Sequence, residues 1–295
     1  MATQTDASAV TGMAVDRVGN VFYSDSDGNR VRRIDARTGV VSTIAGNGIA
    51  GCSGDGELGL LGQLYLPQGV AVDGIGNVYV AATGNSQVRR IDAETGVMTT
   101  VLGDGTLDLD LRDLPINQER VAVNSPCPDP KYLALDGNQY LMVFDGENDN
   151  LLKLDLYTGK VVRWAGLKSS SNDNIGIPAE NADLGGLVNF TVGPDHSVYF
   201  SHRADHSIRR IPAGERFGGP VQQIACDNSE PNFVGDNRES AATAECGKVT
   251  NLAVGAEGNI VFADAGNMRV PSCGILKSIQ SGKSPPSSVT TCSPA

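Results

Sequence analysis

Gly69-Val-Ala-Val-Asp-Gly-Ile-Gly-Asn-Val-Tyr-Val-Ala-Ala-Thr-Gly-Asn-Ser-Gln-Val-Arg-Arg-Ile-Asp-Ala-Glu-Thr-Gly-Val-Met-Thr-Thr-Val-Leu-Gly103 reads as four short strands separated by turns. Gly69 to Val72 alternates small and branched apolar residues as a buried strand does. Asp73 to Asn77 then turns the chain, Asp accepting backbone hydrogen bonds and Gly supplying a positive φ. Val78 to Ala81 is the second strand, Gln87 to Asp92 the third and Val97 to Leu102 the outer one, with turns at Thr83 to Ser86 and Glu94 to Gly96. The pattern recurs from Gly12 to Gly46, and weaker copies begin at Tyr132, Phe190 and Leu252. Its register marks, Asp16, Asp73, Asp136, Gly193 and Gly255, stand 57, 63, 57 and 62 residues apart. One four-strand unit per period predicts an all-β protein, a β-propeller of four-stranded antiparallel blades. Five blades are read, with six as the alternative.

Composition agrees. The repeat runs through nearly all of the 295 residues, so a single domain over 1–295 is expected, with repeats beginning near 12, 69, 132, 190 and 252. The 36 glycines and 5% aromatics suit tight turns between strands packed through small aliphatic side chains. A net charge of −11 repels phosphate backbones, which argues against nucleic acid as partner. No apolar run approaches the ~20 residues of a membrane span, and Met1 to Val10 is too polar for a secretory signal, so the expectation is either a cytoplasmic protein or a chain that begins after a removed leader. The expected state is a monomer.

Asn77-Val-Tyr-Val, Gly84-Asn-Ser-Gln-Val-Arg-Arg-Ile-Asp92 and Thr95-Gly-Val, matched in the first repeat by Gly19-Asn-Val-Phe-Tyr23, Asp27-Gly-Asn-Arg-Val-Arg-Arg-Ile-Asp35 and Thr38-Gly-Val-Val, resemble NHL-repeat β-propellers. The resemblance covers roughly residues 12 to 292. The segment from Gly51 to Pro67 looks like the long connector of secreted or cell-surface members. The fifth unit departs most: Pro271-Ser-Cys273 interrupts it before strands at Ile275–Ile279 and Ser288–Thr291.

In up-and-down blades the second-to-third-strand turns and the connectors share one face. Connectors at about 47–68, 104–131, 167–189 and 226–251 carry a net −10 of the total −11, so one face is expected to be acidic. On it lie Asp25, Asp145, His202 and Asp264 at one repeat position, occupied by Ala82 in the second repeat. Asp108, Asp110 and Asp113 lie on the second connector. Aspartates in such turns also cap local N–H groups, which is the structural alternative. All three histidines, His196, His202 and His206, fall in the fourth repeat, and the spacing of His202 and His206 on a strand-turn-strand does not by itself build a zinc site. Asp25-Ser-Asp-Gly-Asn29 has its Gly one place too early for a calcium loop and reads as a turn. Asp104, Asp108 and Asp110 offer hard oxygen ligands, so a divalent cation such as calcium is the cofactor considered. No nucleophile motif and no phosphate loop are found. The arginine pairs Arg32/Arg33, Arg89/Arg90 and Arg209/Arg210 on the third strands read as solvated or salt-bridged groups on or between outer blade surfaces.

The resulting expectation is a binding scaffold that uses its acidic connector face for a protein or cationic ligand. The alternative is a metal-assisted lyase or hydrolase at the channel mouth using His202, Asp145 and Asp264. Among the six cysteines, the expected pairs are Cys226 with Cys246, Cys273 with Cys292 and Cys52 with Cys127; pairing would imply an oxidising, extracellular setting.

Overall fold

The computed structural model describes residues 9–106, 118–167, 175–214, 218–226, 246, 248–265 and 275–280. In the first blade, strands β1 (Val10–Val15), β2 (Val21–Asp25), β3 (Arg30–Ile34) and β4 (Val41–Ala45) pair in sequence order. A two-residue strand, β5 (Glu57–Leu58), precedes the second blade: β6 (Pro67–Val72), β7 (Val78–Ala82), β8 (Gln87–Ile91) and β9 (Val97–Leu102). The third follows β10 (Arg120–Val121) and holds β11 (Pro130–Asp136), β12 (Tyr140–Asp145), β13 (Asn150–Asp155) and β14 (Lys160–Ala165). The fourth holds β15 (Leu187–Val192), β16 (Val198–His202), β17 (Ile208–Ile211) and β18 (Gln222–Ala225). The last sheet holds β19 (Val249–Val254), β20 (Asn259–Asp264) and β21 (Ile275–Gln280). The all-β propeller class therefore stands, with four complete blades and a fifth sheet that has three strands among the described residues. The strand expected at 288–291 lies outside them.

The second, third and fourth blades bury both faces because each is sandwiched between neighbours. Val70, Val78 and Val80 pack with Phe22, Val31 and Ala45 of the first blade. The alternate residues Ala71, Tyr79 and Val88 pack with Leu133, Leu141 and Leu152 of the third. Met142, Phe144 and Trp164 meet Phe190 and Phe200 of the fourth, and Tyr199 and Ile208 meet Leu252 and Phe262 of the fifth. Among the described residues the core is thus four inter-blade layers, stacked through the inner strands β1, β6, β11, β15 and β19 in that order. Among the described residues nothing covers the outward face of the first blade: Met13 and Val15 are 66% and 57% exposed, whereas Val70, the counterpart of Met13, is 6% exposed.

Local geometry repeats as faithfully as the strands. A register shift interrupts the first strand pair of all five sheets, as at Val10/Met13 and Pro67/Val70. Asn29, Ser86, Asp149 and His206 each enter a third strand at φ of 50–57°. At the end of each fourth strand, Gly46, Gly103 and Gly166 also have positive φ, and a side chain there would strike the carbonyl of that same Asn29, Ser86 or Asp149. Cys226 takes this place in the fourth blade and is disulfide-bonded to Cys246, the pairing expected.

One expectation needs correction. Cys52 and Cys127 are free thiols. The carbonyl of Cys52 is held by Arg89, beside Asp55 in the connector from the first blade. Cys127 is buried in the layer between the second and third blades, so the second blade lies between the two. The arginine pairs carry carboxylate partners, and Arg89 (0% exposed) and Arg209 (2%) take the salt-bridged place between blades rather than a solvated one. Cys273 and Cys292 fall outside the described residues.

Candidate functional site

The repeat position singled out in the sequence is a true structural position. Asp25, Ala82, Asp145, His202 and Asp264 each face the start of their blade's first strand, pairing with Val10, Pro67, Pro130, Leu187 and Val249. All sit at the end of the second strand, at the connector-bearing end of the molecule. The side chain of Asp264 lies outside the described part.

The other three are buried, and each has partners nearby in its own chain segment. Asp25 accepts from Arg32 Nε at 3.2 Å and Nη2 at 3.1 Å. Asp145 accepts from the backbone N–H groups of Asp129 and Glu147, both at 3.2 Å, and from Asn148 Nδ2 at 2.8 Å. Burial raises its pKa against the pull of those donors. His202 Nδ1 lies 2.9 Å from Asp205 Oδ1, and its ring abuts Gly186 so closely that any side chain there would collide with Nε2. Asp205 also takes Arg209 Nη2 at 2.5 Å and the hydroxyl of Ser207 at 2.7 Å. His206 stands at positive φ with its Nδ1 buried. Asp104 caps Thr106 through its amide at 2.9 Å and its hydroxyl at 2.6 Å. Asp108, Asp110 and Asp113 lie outside the described residues. Among those described, no cluster of three or more His, Cys, Asp or Glu side chains could hold a metal ion.

The connectors do more than cover one end. Part of each of the first two runs down the rim as a fifth strand, β5 on β9 and β10 on β14. Glu119 thereby reaches Lys160 at 2.7 Å, beside the β13–β14 hairpin at the opposite end. Asp55 lies 3.3 Å from Arg89, and Asp129 lies 2.6 Å from Lys131.

Two clefts open between blades at the hairpin-bearing end. One, of about 410 Å³, lies between the first and second blades and is bordered by Phe22, Ile44, Leu58, Leu60 and Val78. The other, of about 330 Å³, lies between the third and fourth and holds Asp136, Tyr140, Lys153, Trp164 and His196. Of the second cleft's residues, only Asp136, as a register mark of the repeat, and His196 drew notice in the sequence. The available signal was departure from the repeat: Tyr140 stands where Asn20 and Asn77 do, and Lys153 where Arg33 and Arg90 do.

Comparison with known proteins follows the same lines. The family model of the Teneurin NHL domain matches residues 48–273. Human Teneurin-4 is 25% identical over 284 residues, covering 85% of this chain. The chain spans only 8–10% of the length of the curated relatives it matches. Among solved structures, an auxiliary nutrient binding protein from Bacteroides ovatus superposes with a TM-score of 0.61 at 14% identity, covering 88% of this chain and 58% of that one. Virginiamycin B lyase from Staphylococcus aureus superposes at 0.52 and 11% identity, covering 95% of this chain and 72% of that one. Both likenesses are of fold. No helix among the described residues is long and apolar enough to cross a membrane.

Proposed function

The chain belongs to the teneurin NHL-domain family, and from that premise we propose that it is a binding scaffold whose connector-bearing end receives a basic protein surface. The observation that carries the reading is the internal pairing of Asp25, Asp145 and His202. Side chains held by Arg32, by backbone amides and by Asp205 act as braces for the turns that present the connectors. A rigid end with long, acid-rich connectors is the form of a recognition surface. The Cys226–Cys246 disulfide fits an oxidising, extracellular setting. The enzyme alternative needs His202, Asp145 and Asp264 turned toward a common ion, and two of the three are engaged elsewhere.

The test uses a basic probe, a biotinylated ten-residue oligolysine, read by biolayer interferometry. Replacing Asp108, Asp110 and Asp113 by Asn weakens its binding, whereas Glu94→Gln with Glu257→Gln, exposed at the hairpin end, leaves it unchanged. Binding also declines as ionic strength shortens the screening length below ~8 Å. Equal loss from both sets of substitutions would return the acidity to a general role in solubility.

A further inference from the structure

The turn between the first two strands is fastened the same way in the first two blades. Asn20 Nδ2 donates to Asp16 Oδ2 at 2.6 Å, and Asn77 Nδ2 to Asp73 Oδ2 at 2.7 Å. The same amides accept, through Oδ1, from the backbone N–H of Ala36 and Ala93 in the next hairpin. Arg33 and Arg90 complete the arrangement by pairing with Asp35 and Asp92. The polar groups of these turns are consumed by structure, and the cleft beside the first of them is largely apolar.

The third blade breaks this pattern while keeping its aspartate. Tyr140 replaces the Asn, and the hairpin amide of Leu156 is satisfied by the Gln139 carbonyl at 2.9 Å, so position 140 is released from that duty. Lys153 replaces the Arg. Trp164 stands where the other two blades have Ile44 and Val101. Across the cleft, His196 adopts φ of 61° at the turn position that is glycine in Gly19, Gly76 and Gly258, an unfavourable choice that invites a reason. All four departures border the one 330 Å³ cleft. Local rules broken together at one place mark a functional site more often than four independent accidents.

The geometry selects a ligand class. Lys153 Nζ lies 3.9 Å above the Tyr140 ring centroid and 3.9 Å from Asp136 Oδ2, while His196 Nδ1 hydrogen-bonds Asp136 Oδ1. Lysine and aspartate cancel, so an anion would have to compete with Asp136 for Lys153, and a cation would have to displace Lys153 or His196. A neutral polyhydroxylated ligand needs neither exchange. Its hydroxyls donate to the carboxylate and accept from the ammonium, imidazole or phenol, and its C–H face packs on Val192 and Ala213, which border the same cleft in front of the buried Trp164. We infer that the cleft between the third and fourth blades binds a neutral sugar, one ring at a time, independently of the connector-end partner.

Trp164 is the chain's single tryptophan, so fluorescence excited selectively at tryptophan reports from the wall of this cleft. Glucose, galactose, mannose and N-acetylglucosamine are titrated into the whole chain, with saturation-transfer NMR as the second readout and glucuronate and glucosamine as charged counterparts. A saturable response to at least one neutral sugar is expected. It weakens by at least about ten-fold in Asp136→Asn, on the scale of a lost charged hydrogen bond. It vanishes in Tyr140→Asn/Lys153→Arg/His196→Gly, which keeps Trp164 and rebuilds the turn of the other blades. No response to any neutral sugar, a response to the charged ones alone, or an undiminished response in both variants would each overturn the assignment.

Discussion

Asp205 is the residue on which the fourth blade turns. It joins His202, Ser207 and Arg209, and it is the carboxylate that neutralises a guanidinium 2% exposed between blades. Burial works against its charge, but the donors from His202, Ser207 and Arg209 outweigh burial and hold its pKa well below the usual carboxylate value. A depressed folded-state pKa stabilises above the unfolded value of ~3.9 and loses that contribution as pH falls toward the folded value. Asp205→Asn is therefore expected to lower unfolding stability at pH 7 by about 2 kcal/mol, a figure reduced for the partial exposure of Asp205. Urea titrations should show the gap between variant and parent narrowing as pH is taken below about 4. Of this network the sequence displayed His202, as the odd member of an aspartate column, and Arg209, as half of an arginine pair, but not the Asp205 that joins them. That carboxylate sits inside the same turn, three residues after His202, and nothing in the repeat pattern distinguished it.

At the level of elements, one interaction is kept while its address changes. Arg32, Arg89 and Arg209 occupy one place on the third strand, opposite Thr43, Thr100 and Gln223 on the fourth. In the third blade that place is Leu152, and the residue opposite it is Arg163, whose Nη1 donates to the Gly166 carbonyl at 2.7 Å. The guanidinium has crossed to the neighbouring strand. Arg163→Thr alone should cost about 2 kcal/mol, because a buried donor to a buried carbonyl is lost. Adding Leu152→Arg should recover at least half of it, a coupling that denaturant unfolding of the double-mutant cycle measures directly. The strands themselves were legible from alternation and turn chemistry, and β7 runs one residue beyond the expected Ala81. Strands β5 and β10 were not legible: two residues inside a connector pair with a strand some 40 residues onward, and no local pattern encodes that. Nor was the burial of Arg89, since alternation tells which face a residue takes but not that both faces are covered.

For the whole molecule, the period exposed the architecture and the charge count exposed the connectors, but the clefts between blades arise only when sheets stack. The open face of the first blade belongs to this scale. Val70→Thr, in the layer between the first two blades, should destabilise by about 1.5–3 kcal/mol. Met13→Thr, at the matching place on β1, should stay within about 0.5 kcal/mol, since its side chain already meets solvent. Thermal melts of the two variants decide this, and a large effect at Met13 would mean that its face is covered in solution. Packed layers cover both faces of the third blade among the described residues, so its flank keeps one partner when the other loosens. The tryptophan there is then a late reporter of unfolding, lost only after a neighbouring blade has already let go.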